Sequence, residues 1–291
     1  MLRNFFCLAA IVAGTSTAIA QVRFIDDFVA AQEIARKDKK LVLLYLASKD
    51  SDDCKKIDTD FDANAKLAET MGRKFACAKL MAEDTANKNT LKRFDATKFP
   101  VFVVLDSDGR LLTREEGYQS PARFSAWIDN LIDLQTGLAM LEKADRTKPI
   151  AMVNALRKVS AAVTDRSYAV LVEAMENEEL PDSVRKAAIE GLGKQKYGPE
   201  KLLAFLAHKN PTLKSAANST VKQQGQSAAS ALIEGLASDN VDLRVASWVL
   251  MTPLVKDTKL IRSADFWKNG KAPDREKAVA ALREWHKSKK D

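Results

Sequence analysis

Leu41-Val-Leu-Leu-Tyr-Leu46 is a run of six apolar residues that stops at the polar turn Ser48-Lys-Asp-Ser-Asp-Asp53, after which an amphipathic stretch begins. Continuous apolarity is the pattern of a strand buried on both faces, so this segment needs cover from both sides of a sheet. Ser51, Asp52 and Asp53 are small polar residues suited to starting a helix. The reading is strand, turn, helix, with Cys54 in the first turn of a helix running from Asp52 to about Asp58. About fifty residues later Phe99-Pro-Val-Phe-Val-Val-Leu105 places a proline at the head of a second buried strand, and Asp106-Ser-Asp-Gly109 follows as a hairpin turn in which glycine supplies φ > 0.

The chain has 291 residues and is 46% hydrophobic, enough for two domains with cores of their own. Residues 1–20 carry Arg3, an apolar core from Phe5 to Ala13 and Ala18-Ile19-Ala20 before Gln21. That is the layout of a cleavable secretory signal, with an apolar core too short to span a bilayer. The expectation is an exported protein, periplasmic or extracellular, without stable membrane insertion after cleavage. Loss of Cys7 with the leader leaves Cys54 and Cys77. Cys77 lies in the alternating stretch Phe75 to Met81, a predicted strand. The net charge of +7 belongs to the second half: residues 21–137 hold 19 bases and 20 acids, residues 138–291 hold 26 and 19. Without interleaved aromatics this does not describe a nucleic-acid surface, and a solvated or anion-attracting face is expected.

The first half continues in a regular order. Phe24 to Lys37 has mainly helical spacing and ends in a basic run. Asp58, Asp60, Asp62, Asn64 and Glu69 fall at calcium-loop spacing, but Ala63 stands where the loop needs glycine and Lys66 intrudes. Asp62 as the cap of a helix from Ala63 to Met71 accounts for the same residues. A helix from Ser120 to Leu134, with Pro121 at its first position, closes this half.

Strand, turn, cysteine, helix, then Pro-strand-turn-strand resembles the thioredoxin family over roughly residues 21–137. The resemblance implies a thioredoxin-like α/β domain, a cis Pro100 beside the cysteine helix, and an exposed backbone at Phe99 and Pro100 that binds extended peptides. In such a fold the Phe75–Met81 strand carries Cys77 away from the helix start at Cys54, so the two thiols are expected to stay unpaired. It also implies a Trp-Cys-x-x-Cys redox motif, and this chain departs from it. Aligned through Cys54, the motif reads Asp50-Ser51-Asp52-Asp53-Cys54, and Tyr45 stands where redox-active members carry a buried acid. A serine cannot form a disulfide, so two-thiol turnover within the motif is chemically excluded. Cys54 is surrounded by Asp50, Asp52 and Asp53, whose charge opposes a thiolate. Two readings remain open: a protein-binding or chaperone-like module, and a monothiol oxidoreductase or isomerase acting through Cys54. His208 and His286 stand apart from Cys54 and from each other, and neither a metal-ligand spacing nor a Gly-rich phosphate loop is present; no cofactor or metal is expected.

From residue 138 the pattern is helical, and an internal repeat emerges. Ser183-Val-Arg-Lys-Ala-Ala-Ile189, Thr212-Leu-Lys-Ser-Ala-Ala-Asn218 and Asp242-Leu-Arg-Val-Ala-Ser-Trp248 succeed one another at intervals of 29 and 30 residues. Each has a cap residue, an aliphatic, a base and a small pair, and a partner helix precedes each. This resembles HEAT-like repeats and implies an all-α solenoid over residues 138–291, with protein or peptide partners. Residues 138–163 would open the stack. A last helix with Ala278, Ala281, Leu282 and Trp285 inward would close it.

Overall fold

The computed structural model describes residues 22–145, 147–255 and 257–289. The expected leader, Cys7 and the expected mature start at Gln21 lie outside the described residues. The chain divides into two compact units between Pro121 and Ala122, ahead of the change of pattern that the sequence places after Gly137.

The first unit runs α1 (Phe28–Asp38), β1 (Leu41–Ala47), α2 (Asp52–Asp62), α3 (Ala65–Lys74), β2 (Phe75–Met81), a 3-10 turn (Thr85–Asn87), α4 (Lys88–Arg93), β3 (Val101–Leu105) and β4 (Leu111–Glu116). The four strands form one sheet in the order β2-β1-β3-β4. β1 is parallel to β2 and antiparallel to β3, and β3 is antiparallel to β4. Every residue of β1 is buried, as its unbroken apolarity requires. Alternate side chains sort to the two faces. Val42, Leu44 and Leu46 join Ala76, Ala78, Val101, Val103 and Leu105 in one core with Ala31 and Ala35 of α1. On the other face Tyr45 stacks on Phe102 at 4.9 Å between ring centroids, and both meet Phe61 of α2. Each fully buried leucine of this set stabilises the fold by about 1.5–3 kcal/mol.

Three expectations are corrected here. α1 begins at Phe28, with Asp27 as its cap; Phe24 and Ile25 precede it. Ile25 instead pairs with the outer edge of β2, its N–H donating to the Cys77 carbonyl and its carbonyl accepting from the Lys79 N–H, both at 2.9 Å. The backbone groups of that strand edge outweigh the helical spacing of the side chains. α2 continues to Asp62, so Asp58, Asp60 and Asp62 lie on a helix and do not form a cation loop. The cap of α3 is Asn64, whose Oδ1 accepts from the Leu67 N–H at 3.0 Å; Asp62 does not serve there. The Asp106 turn forms as expected: Gly109 has φ +83°, and Asp106 Oδ1 accepts from the N–H groups of Asp108 and Arg110.

The second unit is helical, with no strand among its described residues: α5 (Pro121–Glu142), α6 (Pro149–Val159), α7 (Asp165–Glu176), α8 (Asp182–Leu192), α9 (Gly198–Leu206), α10 (Pro211–Gln224), α11 (Ala229–Ala237), α12 (Val241–Met251), α13 (Thr258–Ile261), α14 (Ala264–Asn269) and α15 (Ala272–Lys287). α5 and α6 cross at Gly137, where a Cβ would lie 2.7 Å from the Ala155 carbonyl oxygen. α8, α10 and α12 start at Asp182, Pro211 and Val241, in phase with the repeat. Their caps are not Ser183, Thr212 and Asp242: Asn210 and Asn240 cap α10 and α12, and α8 follows Pro181 without a side-chain cap. The repeated base is not uniformly outward either. Arg185 is buried with Nε donating to the Met175 carbonyl, and Arg244 is buried with Nε donating to the Trp267 carbonyl and Nη1 to the Ser238 carbonyl, whereas Lys214 is exposed. These guanidinium groups satisfy carbonyls that helix ends leave open. In α15, Ala278 and Leu282 are buried with Val279, while Ala281 is exposed and Trp285 half-buried. No helix among the described residues is long and apolar enough to cross a membrane.

Candidate functional site

The end of β1, the start of α2 and the loop before β3 bring together the residues singled out in the sequence. Ser51 is the N-cap of α2, and its Oγ accepts the Cys54 N–H at 3.2 Å. The same hydroxyl donates to the Phe99 carbonyl at 3.1 Å. The Phe99–Pro100 peptide bond is cis, with Pro100 buried and Phe99 half-buried. Ser51 therefore ties the head of α2 to the residue preceding Pro100. Asp50, Asp52 and Asp53 are exposed around it. Lys55 pairs with Asp52 at 2.9 Å and holds its carboxyl below the usual carboxylate range.

Cys54 points the other way. It is 2% exposed, on the inner face of α2 with Ile57 and Phe61. The Tyr45 hydroxyl donates to the Cys54 carbonyl at 3.1 Å. Burial, reinforced by Cys54 and Asp58, pushes the Tyr45 hydroxyl well above the ordinary tyrosine value. Tyr45 thus fills the space above α2 with a neutral ring and uses its one donor on the helix backbone. Cys77 sits on β2, also buried, and both cysteines are free thiols. Burial pushes the Cys77 thiol up to about 12.

The place of Lys79 is not anticipated by the sequence reading. Lys79 lies opposite Tyr45 in the parallel β1–β2 register, with Nζ 4.9 Å from the centroid of the Tyr45 ring, and it pairs with both oxygens of Asp58 at 2.7 Å. The signal was available: a lysine inside the otherwise apolar Phe75–Met81 and an aspartate one helical turn after Cys54. Asp60, on the same helix, accepts from the Tyr118 hydroxyl at 2.8 Å, and Lys56 covers the Tyr118 ring at 3.6 Å. Asp58 and Asp60, two of the acids at calcium-loop spacing, are thus used by partners inside the first unit.

The histidines do not join this site. His208 stacks on Phe205 and accepts the Asn210 N–H at Nδ1. Among the described residues no group of His, Cys, Asp and Glu is arranged to hold a metal ion. A groove of about 550 Å³ runs between α11 and α15, its wall closed by the Arg283–Glu234 pair at 2.7 Å.

Residues 28–132 match the family model described as a thioredoxin-like domain. The solution structure of a thioredoxin from Thermus thermophilus is 16% identical and matches with a TM-score of 0.36, covering 39% of this chain and 88% of that one. A structure titled DsbH oxidoreductase is 17% identical with a TM-score of 0.33, covering 41% of this chain and 90% of that one. Among curated proteins none matches the chain. The chain carries a thioredoxin-like domain over residues 28–132, followed by a largely helical region.

Proposed function

We propose that this is an exported protein-binding or chaperone-like module in which a thioredoxin-like domain has given up disulfide turnover, joined to a HEAT-like solenoid. The observation that carries the reading is the double engagement of Ser51: its hydroxyl accepts the Cys54 N–H and donates to the Phe99 carbonyl, while the Cys54 side chain is buried beneath it. A position that would need a free, nucleophilic sulfur is a structural knot made of oxygen. A thiolate must be reachable to attack a disulfide, and Cys54 is not. The helix starts of α8, α10 and α12, in phase at 29 and 30 residues, support the repeat reading of the helical half. Peptide recognition beside Pro100 would rest on the half-buried Phe99 ring and the exposed Lys98, since Ser51 already engages the Phe99 carbonyl.

The test is reduction of insulin disulfides by dithiothreitol in the presence of the purified protein. The expected result is the uncatalysed rate, unchanged by Cys54→Ser. Turnover that disappears with Cys54→Ser would overturn the reading in favour of a monothiol oxidoreductase.

A further inference from the structure

Gln195 and Gln224 occupy the same place in successive helix pairs, 29 residues apart, and do the same thing. In the turn between α8 and α9, the Gln195 side chain is buried; its Nε2 donates to the Ala162 carbonyl in the preceding turn, and its Oε1 accepts from the Ser167 hydroxyl of α7. At the end of α10, Gln224 Nε2 donates to the Gly193 carbonyl. Three turns, α6–α7, α8–α9 and α10–α11, are thereby fastened in series along one edge of the second unit.

Because Gln195 points inward, its neighbours point outward. Lys194 and Lys196 are exposed, and Tyr197 is 53% exposed. The Tyr197 ring meets Tyr168 of α7 at 6.3 Å in a T-shaped contact, with Lys196 Nζ over it at 5.4 Å. Arg157, in the last turn of α6, and Arg166, in the first turn of α7, flank the neighbouring turn, where Val163 is 55% exposed. None of these four bases makes an ion pair among the described residues. Among the exposed residues of these two turns and of the helix starts that follow them, the acids are Asp165 and Glu200, so positive charge prevails.

We infer that this edge is a docking surface for an acidic polypeptide segment bound in extended form; the inference deepens the protein-binding reading above and rests on it. Unpaired bases supply charge complementarity, which steers an acidic partner and fixes its register. Tyr168, Tyr197 and Val163 add apolar area between the charges, which a peptide with acidic and aliphatic side chains uses and a polyphosphate or sulfated glycan does not. The spacing agrees. Packed helices stand about 8–10 Å apart, and an extended chain rises about 3.3 Å per residue, so neighbouring turns fall opposite every third residue.

The experiment is a fluorescence-anisotropy titration of the full chain with a fluorescein-labelled dodecapeptide of repeating Asp-Glu-Leu. Expected are saturable binding that weakens with added salt, a loss of about tenfold for Lys194→Glu combined with Lys196→Glu, and about fivefold for Tyr197→Ala. Lys268→Glu combined with Lys277→Glu, the same charge change elsewhere in the unit, leaves affinity unchanged. Absence of binding, an equal loss in the control pair, or insensitivity to Tyr197→Ala would overturn the proposal. Binding of labelled heparin without binding of the peptide would overturn it too. Cys54-dependent disulfide turnover would defeat the previous reading and leave this titration unmoved, so the two failures are separable.

Discussion

The turn at the head of α2 and the turn between α8 and α9 are closed by the same device and leave opposite surfaces. In each, one polar side chain reaches a distant backbone carbonyl: Ser51 to Phe99, Gln195 to Ala162. In the first, closure carries the chemically interesting group inward, and Cys54 is lost to solvent. In the second, closure forces the neighbours outward and presents Lys194, Lys196 and Tyr197. A buried anchor explains why a turn is rigid, whereas function has to be sought in what the anchor leaves exposed.

Substitutions can break this comparison at both ends. The largest effect falls on the tyrosines. Tyr45→Ala, which empties a fully buried ring site, costs about 3–5 kcal/mol in urea unfolding. Tyr197→Ala, at a half-exposed site, changes stability by less than about 0.5 kcal/mol and is felt only in peptide binding. Next come the anchors. Gln195→Ala removes bonds at both ends of a buried amide and costs about 2 kcal/mol; Gln224→Ala, whose Oε1 has no hydrogen-bond partner, costs about 1 kcal/mol. Differential scanning calorimetry of the two variants gives the order directly.

The interior of the first unit also has a pH signature. Cys77 keeps its proton in the fold up to about 12, and the unfolded chain releases it near 9.0. The raised folded value means stability is full below pH 9 and falls as pH rises from there toward 12. The slope approaches about 1.4 kcal/mol per pH unit. Urea midpoints at pH 8 and pH 10 show this loss, and Cys77→Ala removes its share. The Tyr45 hydroxyl, also raised, adds to the loss above pH 10. Ser51→Ala costs about 1 kcal/mol through the lost cap. The smallest stability change is expected for Lys194→Glu with Lys196→Glu, within about 0.5 kcal/mol, because both side chains are exposed.

What could be read in advance followed from local rules. The apolar run of β1, the Ser51 cap, the strand after Pro100 and the Gly109 turn each depend on a few neighbouring residues, and each stands where the sequence puts it. The misreadings share another cause: a distant partner decides. Helical spacing at Phe24 and Ile25 lost to the open edge of β2, and the end of α2 moved past Asp58 and Asp60, which Lys79 engages from β2 and Tyr118 from the loop after β4. Lys79 itself was legible only as an odd charge in an apolar strand. The repeat was visible through its small pairs, Ala187-Ala188 and Ala216-Ala217, yet the equally periodic Gln195 and Gln224 passed unnoticed, because an amide announces nothing until its carbonyl is found.

Those two amides also set how the helical half can be shortened. Gln195 fastens its turn to the one before it, at Ala162, and Gln224 fastens its own to Gly193. Arg244 of α12 reaches the other way, to the Trp267 carbonyl of α14. A hydrogen bond holds both of its partners, so a helix pair cut from either end leaves a polar group of its neighbour without one. Loss or gain of a pair therefore calls for a compensating change in the turn it touches.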